Sequence, residues 1–287
     1  MDVINYSKKK ANTFENLELD IWNTEADMYV LKYKNKAKVF KRLYHDEGPM
    51  FANKLYTLEM LNTYKECLTN SFVIPDYLVT VDKNIVGFTV PMIEGENLKI
   101  YLDKRSNDCK DQLKYLKQIG VILEDMKNIR KYSSLNDFYL NDLHAANFII
   151  EEETKDLKVI DLDSCRIMGN KPFISKYLTP GSLCRVSKKY KISNDIKFGY
   201  IIPDENTDIY CYIMTIIEYL LGKSVNQYNI DNFYILLNHL DTLGFDKELL
   251  SIFENIILPR HNKNPYEYLD TITEEQIDKV KLLGLKR

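Results

Sequence analysis

Apolar and polar positions alternate in short runs over the first third of the chain, then give way to apolar residues recurring at three- and four-residue steps. Residues 28–33 and 37–43 are two alternating runs joined by the turn-like Lys34, Asn35 and Lys36, the pattern of a hairpin. From Phe51 to about Cys67 the helical spacing predicts a helix. Residues 72–81 and 85–95 predict a second hairpin around Asp82, Lys83 and Asn84, ending in a connector. After residues 97–102, a long amphipathic helix is expected over 111–129, where Leu113, Leu116, Ile119, Leu123 and Met126 form one stripe. Residues 148–150 and 157–160 are short apolar runs around a charged turn, so the chain should fold back there. Residues 206–222 are apolar on nearly every face and predict a buried helix, with three more helices at 233–240, 247–258 and 274–285.

The hairpin over 148–160 gathers chemistry. Asp142, His144 and Asn147 precede its first strand, and Asp161 follows its second, 14 positions after Asn147 (161 − 147). Folding back brings a carboxylate, a carboxamide and a second carboxylate to one edge. Each residue type alone is ordinary at a strand end, because Asn and Asp favour turns; the order and spacing of the set carry the signal. Mg²⁺ takes few protein oxygens and fills its shell with water and phosphate, so one Asn and one Asp suit it. Phosphoryl transfer asks a protein for metal ligands and for a group that orients the accepting hydroxyl. Asn147 and Asp161 fit the first need, Asp142 the second.

Asp142-x-His144-x-x-Asn147 followed by Ile160-Asp161-x-Asp163 resembles the catalytic loop and metal-binding Asp-Phe-Gly segment of the protein-kinase-like superfamily. The histidine two residues after the Asp, and Asp163 where a Gly is usual, look more like atypical and bacterial members, including the aminoglycoside-phosphotransferase branch. The resemblance implies a bilobal α+β fold. A small nucleotide-binding lobe with an antiparallel sheet and a single helix would cover 1–91, a hinge 92–96, and a mainly α-helical large lobe 97–287. ATP and Mg²⁺ are the implied cofactors. Asp142 would orient the hydroxyl, His144 would stand beside the transferred phosphoryl or brace the loop, and Asn147 and Asp161 would hold the metal. Lys41 is placed like the strand lysine that meets the α- and β-phosphates, although Lys32, Lys34, Lys36 and Lys38 lie nearby as ordinary solvated candidates. Val90 takes the gatekeeper place, and backbone groups of Met92 and Ile93 would face the adenine.

Residues 172–181 resemble an activation segment, with hydroxyls at Ser175, Tyr177 and Thr179. Asp208 stands where protein kinases carry an Asp that hydrogen-bonds the catalytic-loop backbone; helix capping is the plainer role for a residue in that place. This match points to a Ser or Thr hydroxyl on a protein as the acceptor. A small-molecule kinase and a pseudokinase serving as a binding or scaffold module are the alternatives.

Two landmarks depart from the pattern. Residues 17–27 contain no glycine where a glycine-rich loop would let backbone N–H groups approach phosphate. The helix glutamate that normally holds the strand lysine is assigned to Glu59, 18 positions after Lys41 (59 − 41), with Glu47 the poorer choice. The usual glutamate, however, precedes apolar residues by four and seven positions, a register that selects Lys54 before Leu58 and Leu61. Both departures favour the pseudokinase alternative. Asp163 reads as a turn residue or as an added metal-facing carboxylate.

Composition narrows the field further. A chain of 287 residues is long enough for two lobes around a cleft. A formal charge of −3 argues against bulk attraction to nucleic acid. No apolar run reaches the roughly 20 residues of a membrane span, the first ten residues do not read as a secretory signal, and five irregularly spaced cysteines suit a reducing compartment. A cytoplasmic enzyme without nucleic-acid or membrane partners is therefore expected, its oligomeric state open. His45, His239 and His261 are scattered, which argues against a zinc site.

Overall fold

Two-residue turns set the first sheet. In the computed structural model, which describes residues 1–17, 25–172, 177, 202–225, 229–258 and 261–284, β3 (Ala26–Tyr33) and β4 (Lys36–Leu43) pair antiparallel through Lys34 and Asn35. Both turn residues have positive φ, 49° and 61°. That is the backbone of the tight hairpin turn whose twist matches the flanking strands. Asp82 and Lys83, at 49° and 74°, do the same between β5 (Tyr77–Val81) and β6 (Asn84–Pro91). With β1 (Asp2–Tyr6) and β2 (Glu15–Asn16), these strands form a six-stranded sheet in the order β1-β5-β6-β4-β3-β2.

Each face of this sheet is covered, which separates neighbours on one strand. Phe40 packs with Leu31, Val79, Val81 and Val86 under Ala11 and Phe14 of the N-terminal segment. The opposite face, with Leu43 and Phe88, receives Leu58 of α2 (Gly48–Thr63). Lys41 lies on β4 between Phe40 and Leu43 and is itself buried.

Several expectations are corrected. The sheet is not wholly antiparallel, because β1 pairs parallel with β5 at its edge. Nor is α2 its single helix, since one turn, α1 (Lys8–Ala11), is capped by Ser7. α2 starts three residues before the periodicity suggested, with Pro49 in its first turn, and stops at Thr63 before a separate 3₁₀ turn, Lys65–Cys67. The strand expected from residue 72 begins at Tyr77, because the backbone on either side of Phe72 bonds instead to Val159, which accepts from the Val73 N–H at 2.9 Å and donates to the Ser71 carbonyl at 2.7 Å. Residues 95 and 96 of the expected connector belong to β7 (Gly95–Asn97).

The rest is mainly helical and positions one small sheet. α3 (Leu98–Asp103) leads to α4 (Cys109–Tyr132), capped by Asp108. β8 (Phe138–Tyr139) precedes the hairpin of β9 (Phe148–Glu151) and β10 (Leu157–Val159), which with β7 forms the order β10-β9-β7. β11 (Arg166–Ile167) pairs with β8. α5 (Glu205–Leu221) is the buried helix expected, opened by a reciprocal Asp204–Thr207 cap and closed by left-handed Gly222. α6 (Ile230–Thr242), α7 (Lys247–Asn255) and α8 (Glu274–Gly284) complete a core that joins α4, α5 and the β9–β10 hairpin. The protein is thus a mixed α+β structure. Among the described residues no helix is long and apolar enough to cross a membrane.

Candidate functional site

The hairpin delivers its flanking residues to one place. Phe148 faces Val159 across the β9–β10 pair, and the N–H of Ile160 donates to the carbonyl of Asn147 at 2.9 Å, closing the open end. Asp142, Asn147 and Asp161 line one small pocket there. The Asn147 amide nitrogen donates to the Asp142 carbonyl at 2.8 Å and, more weakly, to its carboxylate at 3.4 Å. Its amide nitrogen is thereby committed to the loop. His144 Nε2 lies 3.6 Å from the Asp142 carboxylate, too far for a hydrogen bond, and the backbone of His144 starts the 3₁₀ turn Ala145–Asn147. Asn97 braces that turn by donating to the Ala146 carbonyl at 2.7 Å.

A buried carboxylate fixes the loop from behind. The N–H groups of Leu140 and Asn141 each donate to Asp208 at 2.9 Å, and the N-cap of α5 is Asp204, so Asp208 anchors the loop and does not cap the helix. Asn141 holds φ at 62°, a conformation Asn tolerates, and its amide donates to the Ser164 carbonyl at 2.9 Å. Burial pushes the Asp208 carboxyl up to about 7, against the pull of the two N–H donors.

Lys41 meets the hairpin from the other sheet. Its ammonium ion-pairs with Asp161 and lies 3.0 Å from Asp163. β4 is held there by close strand contact: a Cβ on Gly87 of β6 would stand 1.9 Å from the Lys41 carbonyl oxygen, so only glycine fits. Asp161 takes the left-handed conformation, φ 64° and ψ 43°. Its side chain keeps 34% of its surface exposed to the cleft, while that of Asp163 keeps 1%. Burial opposes the charge of Lys41, yet Asp161 and Asp163 outweigh it and hold the ammonium above its ordinary value. The Asp161 carboxyl is raised to about 7 by burial, against the pull of Lys41. Burial also opposes the charge of Asp163, but Lys41 and Lys54 together hold its carboxyl far below the ordinary range.

The helix partner of Lys41 is not the one assigned from sequence. Glu59 is exposed on α2, and among the described residues the ion-pair partners of Lys41 are Asp161 and Asp163. Glu47 is also exposed and lies outside α2, at its N-cap. As the helical register implies, Lys54 is the α2 residue that faces the site, its ammonium 2.7 Å from Asp163 and 2.6 Å from Glu25. Asp163 is neither a plain turn filler nor open to a cation, since Lys41 and Lys54 engage its two oxygens. Its pairing joins residues 122 and 109 positions apart, which no local pattern reports.

Other expected residues are placed as follows. Val90 is half-buried against the core beneath α2. Met92 is more exposed, with its N–H directed at the Ala37 carbonyl at 3.4 Å, and Ile93 is half-buried. Of the glycine-free stretch, residues 18–24 lie outside the described residues, as do Ser175 and Thr179. Tyr177 is buried and donates to Glu218 at 2.6 Å.

The site therefore offers two hard oxygen donors, Asn147 and Asp161, a second carboxylate at Asp142 and a buried ammonium within one constellation. Such a set can hold a small divalent cation and an anion together. The chain matches no protein-family model, and no curated protein matches it significantly in sequence.

Proposed function

We propose that the chain is an ATP- and Mg²⁺-dependent phosphotransferase of the protein-kinase-like kind, acting on a Ser or Thr hydroxyl of a protein in the cytoplasm. In this reading residues 1–91 and 97–287 are the two lobes and 92–96 the hinge. One observation carries it: Asp142, Asn147 and Asp161 line one pocket, and Lys41 reaches it from a separate sheet.

The donor chemistry fits the metal. Asn147 and Asp161 would hold Mg²⁺, which would supply positive charge to offset that of the phosphates. Lys41 would exchange its contact with Asp161 for phosphate, a point charge on a rigid strand. Asp142 would accept a hydrogen bond from the substrate hydroxyl and set its direction of attack. Asp208 and Asn97 keep the intervening backbone still, so that Asp142 and Asn147 stay in register.

A pseudokinase scaffold is the second reading, favoured by the absence of a carboxylate from the site-facing position of α2, where Lys54 stands. Transfer of labelled γ-phosphate from ATP to generic protein acceptors and to aminoglycosides distinguishes the readings. Asp161→Asn is expected to lower transfer by about 10²-fold or more. Equal transfer by parent and variant removes Asp161 from the mechanism, and nucleotide binding without transfer by the parent favours the scaffold.

A further inference from the structure

Asp163 and Lys54 belong to no role in the mechanism above, yet they are the most tightly connected charges in the cleft. The Asp163 side chain is 1% exposed and divides its two oxygens between two lysines, Oδ1 to Lys41 at 3.0 Å and Oδ2 to Lys54 at 2.7 Å. A carboxylate so buried and so engaged has no face left for a metal. Lys54 is itself largely buried, its side chain 17% exposed, and Glu25 holds it from the other side at 2.6 Å. Charges taken out of water persist only when paired and hydrogen-bonded. Removing Asp163 leaves Lys41 with Asp161 and Lys54 with the half-exposed Glu25 as their remaining counter-charges.

The chain from helix to phosphate lysine is continuous. α2 carries Lys54, Lys54 grips Asp163 on the 3₁₀ turn Leu162–Ser164, and Asp163 grips Lys41 on β4. The same helix is tied to the segment beyond that turn: the Asn170 amide donates to Thr57 Oγ1 at 2.6 Å, and Asn53 accepts from the Lys171 N–H at 3.1 Å. The helix and the segment around the turn are therefore tied together at several points. We infer that Asp163 and Lys54 are positioning residues for Lys41, so that α2 aims the phosphate-binding ammonium through a carboxylate on the turn and not through one of its own.

This inference rests on the phosphotransferase reading and names how that site is held. It also removes the main ground for the scaffold alternative, because the pairing missing from α2 is supplied by Asp163 with its polarity reversed. Displacement of α2 breaks the link and lets Lys41 turn away from phosphate.

The test is a pair of variant cycles on the full chain. Calorimetric titration with ATP and Mg²⁺ is run on the parent, Lys41→Met, Lys54→Met and the double variant. Each single variant is expected to bind about tenfold more weakly or worse, and the double no more weakly than Lys41→Met, since Lys54 acts through Lys41. Additive losses, or a Lys54→Met that binds like the parent, overturn the inference. A nucleotide-free cycle reads the link itself: Lys54→Met lowers Tm in the parent and leaves it unchanged or raises it in Asp163→Asn, where the lysine has lost its buried counter-charge and keeps only the half-exposed Glu25. An equal fall in both backgrounds also overturns the inference, and if Asp163→Asn does not fold the titration cycle decides alone. A parent chain that binds no ATP with Mg²⁺ overturns the proposed function instead.

Discussion

Asp163 and Asp208 are both buried carboxylates near the same loop, and the protein keeps them by opposite means. Asp163 is held by two ammonium groups from two different elements. Asp208 is held by two backbone N–H groups of consecutive residues. Strong cations drive the Asp163 carboxyl far below its ordinary value despite burial, whereas amide dipoles only partly offset burial at Asp208 and leave it near 7. The lesson is a division of labour. A carboxylate bound to long side chains links elements that can shift, while one bound to backbone locks a loop.

The largest effect should come from breaking the charged arrangement. Asp163→Leu takes from Lys41 and Lys54 the buried carboxylate they share, leaving them only Asp161 and the half-exposed Glu25, and is expected to cost up to about 3–5 kcal/mol, measured by urea unfolding; a cost below about 1 kcal/mol would mean that water already reaches this site. Asp208→Asn keeps the shape but turns an amide donor toward one of two N–H donors. A loss of roughly 1–3 kcal/mol is expected, with faster amide exchange at Leu140 and Asn141; unchanged exchange there would break the contrast.

Acid titration sharpens the comparison, because the two groups have opposite signs. The Asp208 carboxyl sits near 7 in the fold against 3.8 when unperturbed. Between those values the folded state keeps a proton that the unfolded chain gives up, so the Asp208 contribution to stability falls as pH rises through that window. Asp163 behaves conversely, its contribution being full above the ordinary Asp value and lost as pH falls below it. Stability–pH curves of parent and Asp208→Asn should therefore diverge between about pH 4 and pH 7, and parallel curves would show that Asp208 stays ionised. The smallest effect is expected from Glu25→Gln. Its carboxylate holds Lys54 from a position 52% exposed, so roughly 0–1 kcal/mol is at stake, reduced further by salt. A larger loss would extend the buried network to Glu25.

Local pattern carried the elements well and the connections unevenly. The hairpin that unites Asn147 with Asp161 was legible because both residues flank strands only a few residues long, and strand pairing over a short turn leaves little freedom. The buried helix α5 was legible because apolar residues on nearly every face admit no other placement. The edge strand β1 was not, since its parallel partner β5 lies some 75 residues away and its own five residues include two polar positions. Residue type and distance along the chain select Glu59 on α2, while helical register selects Lys54. Register proved the better guide because it determines which face of α2 meets the site.

What the chain determined by itself was the set of strands and helices, the turn at which Asn147 and Asp161 converge, and the kinds of atom available there, because these follow from spacing within a few residues. The tertiary structure alone decided which charges pair. Lys41, Lys54 and Asp163 come from three elements, and a buried ion pair depends on distance and desolvation, quantities that exist only once the elements have packed.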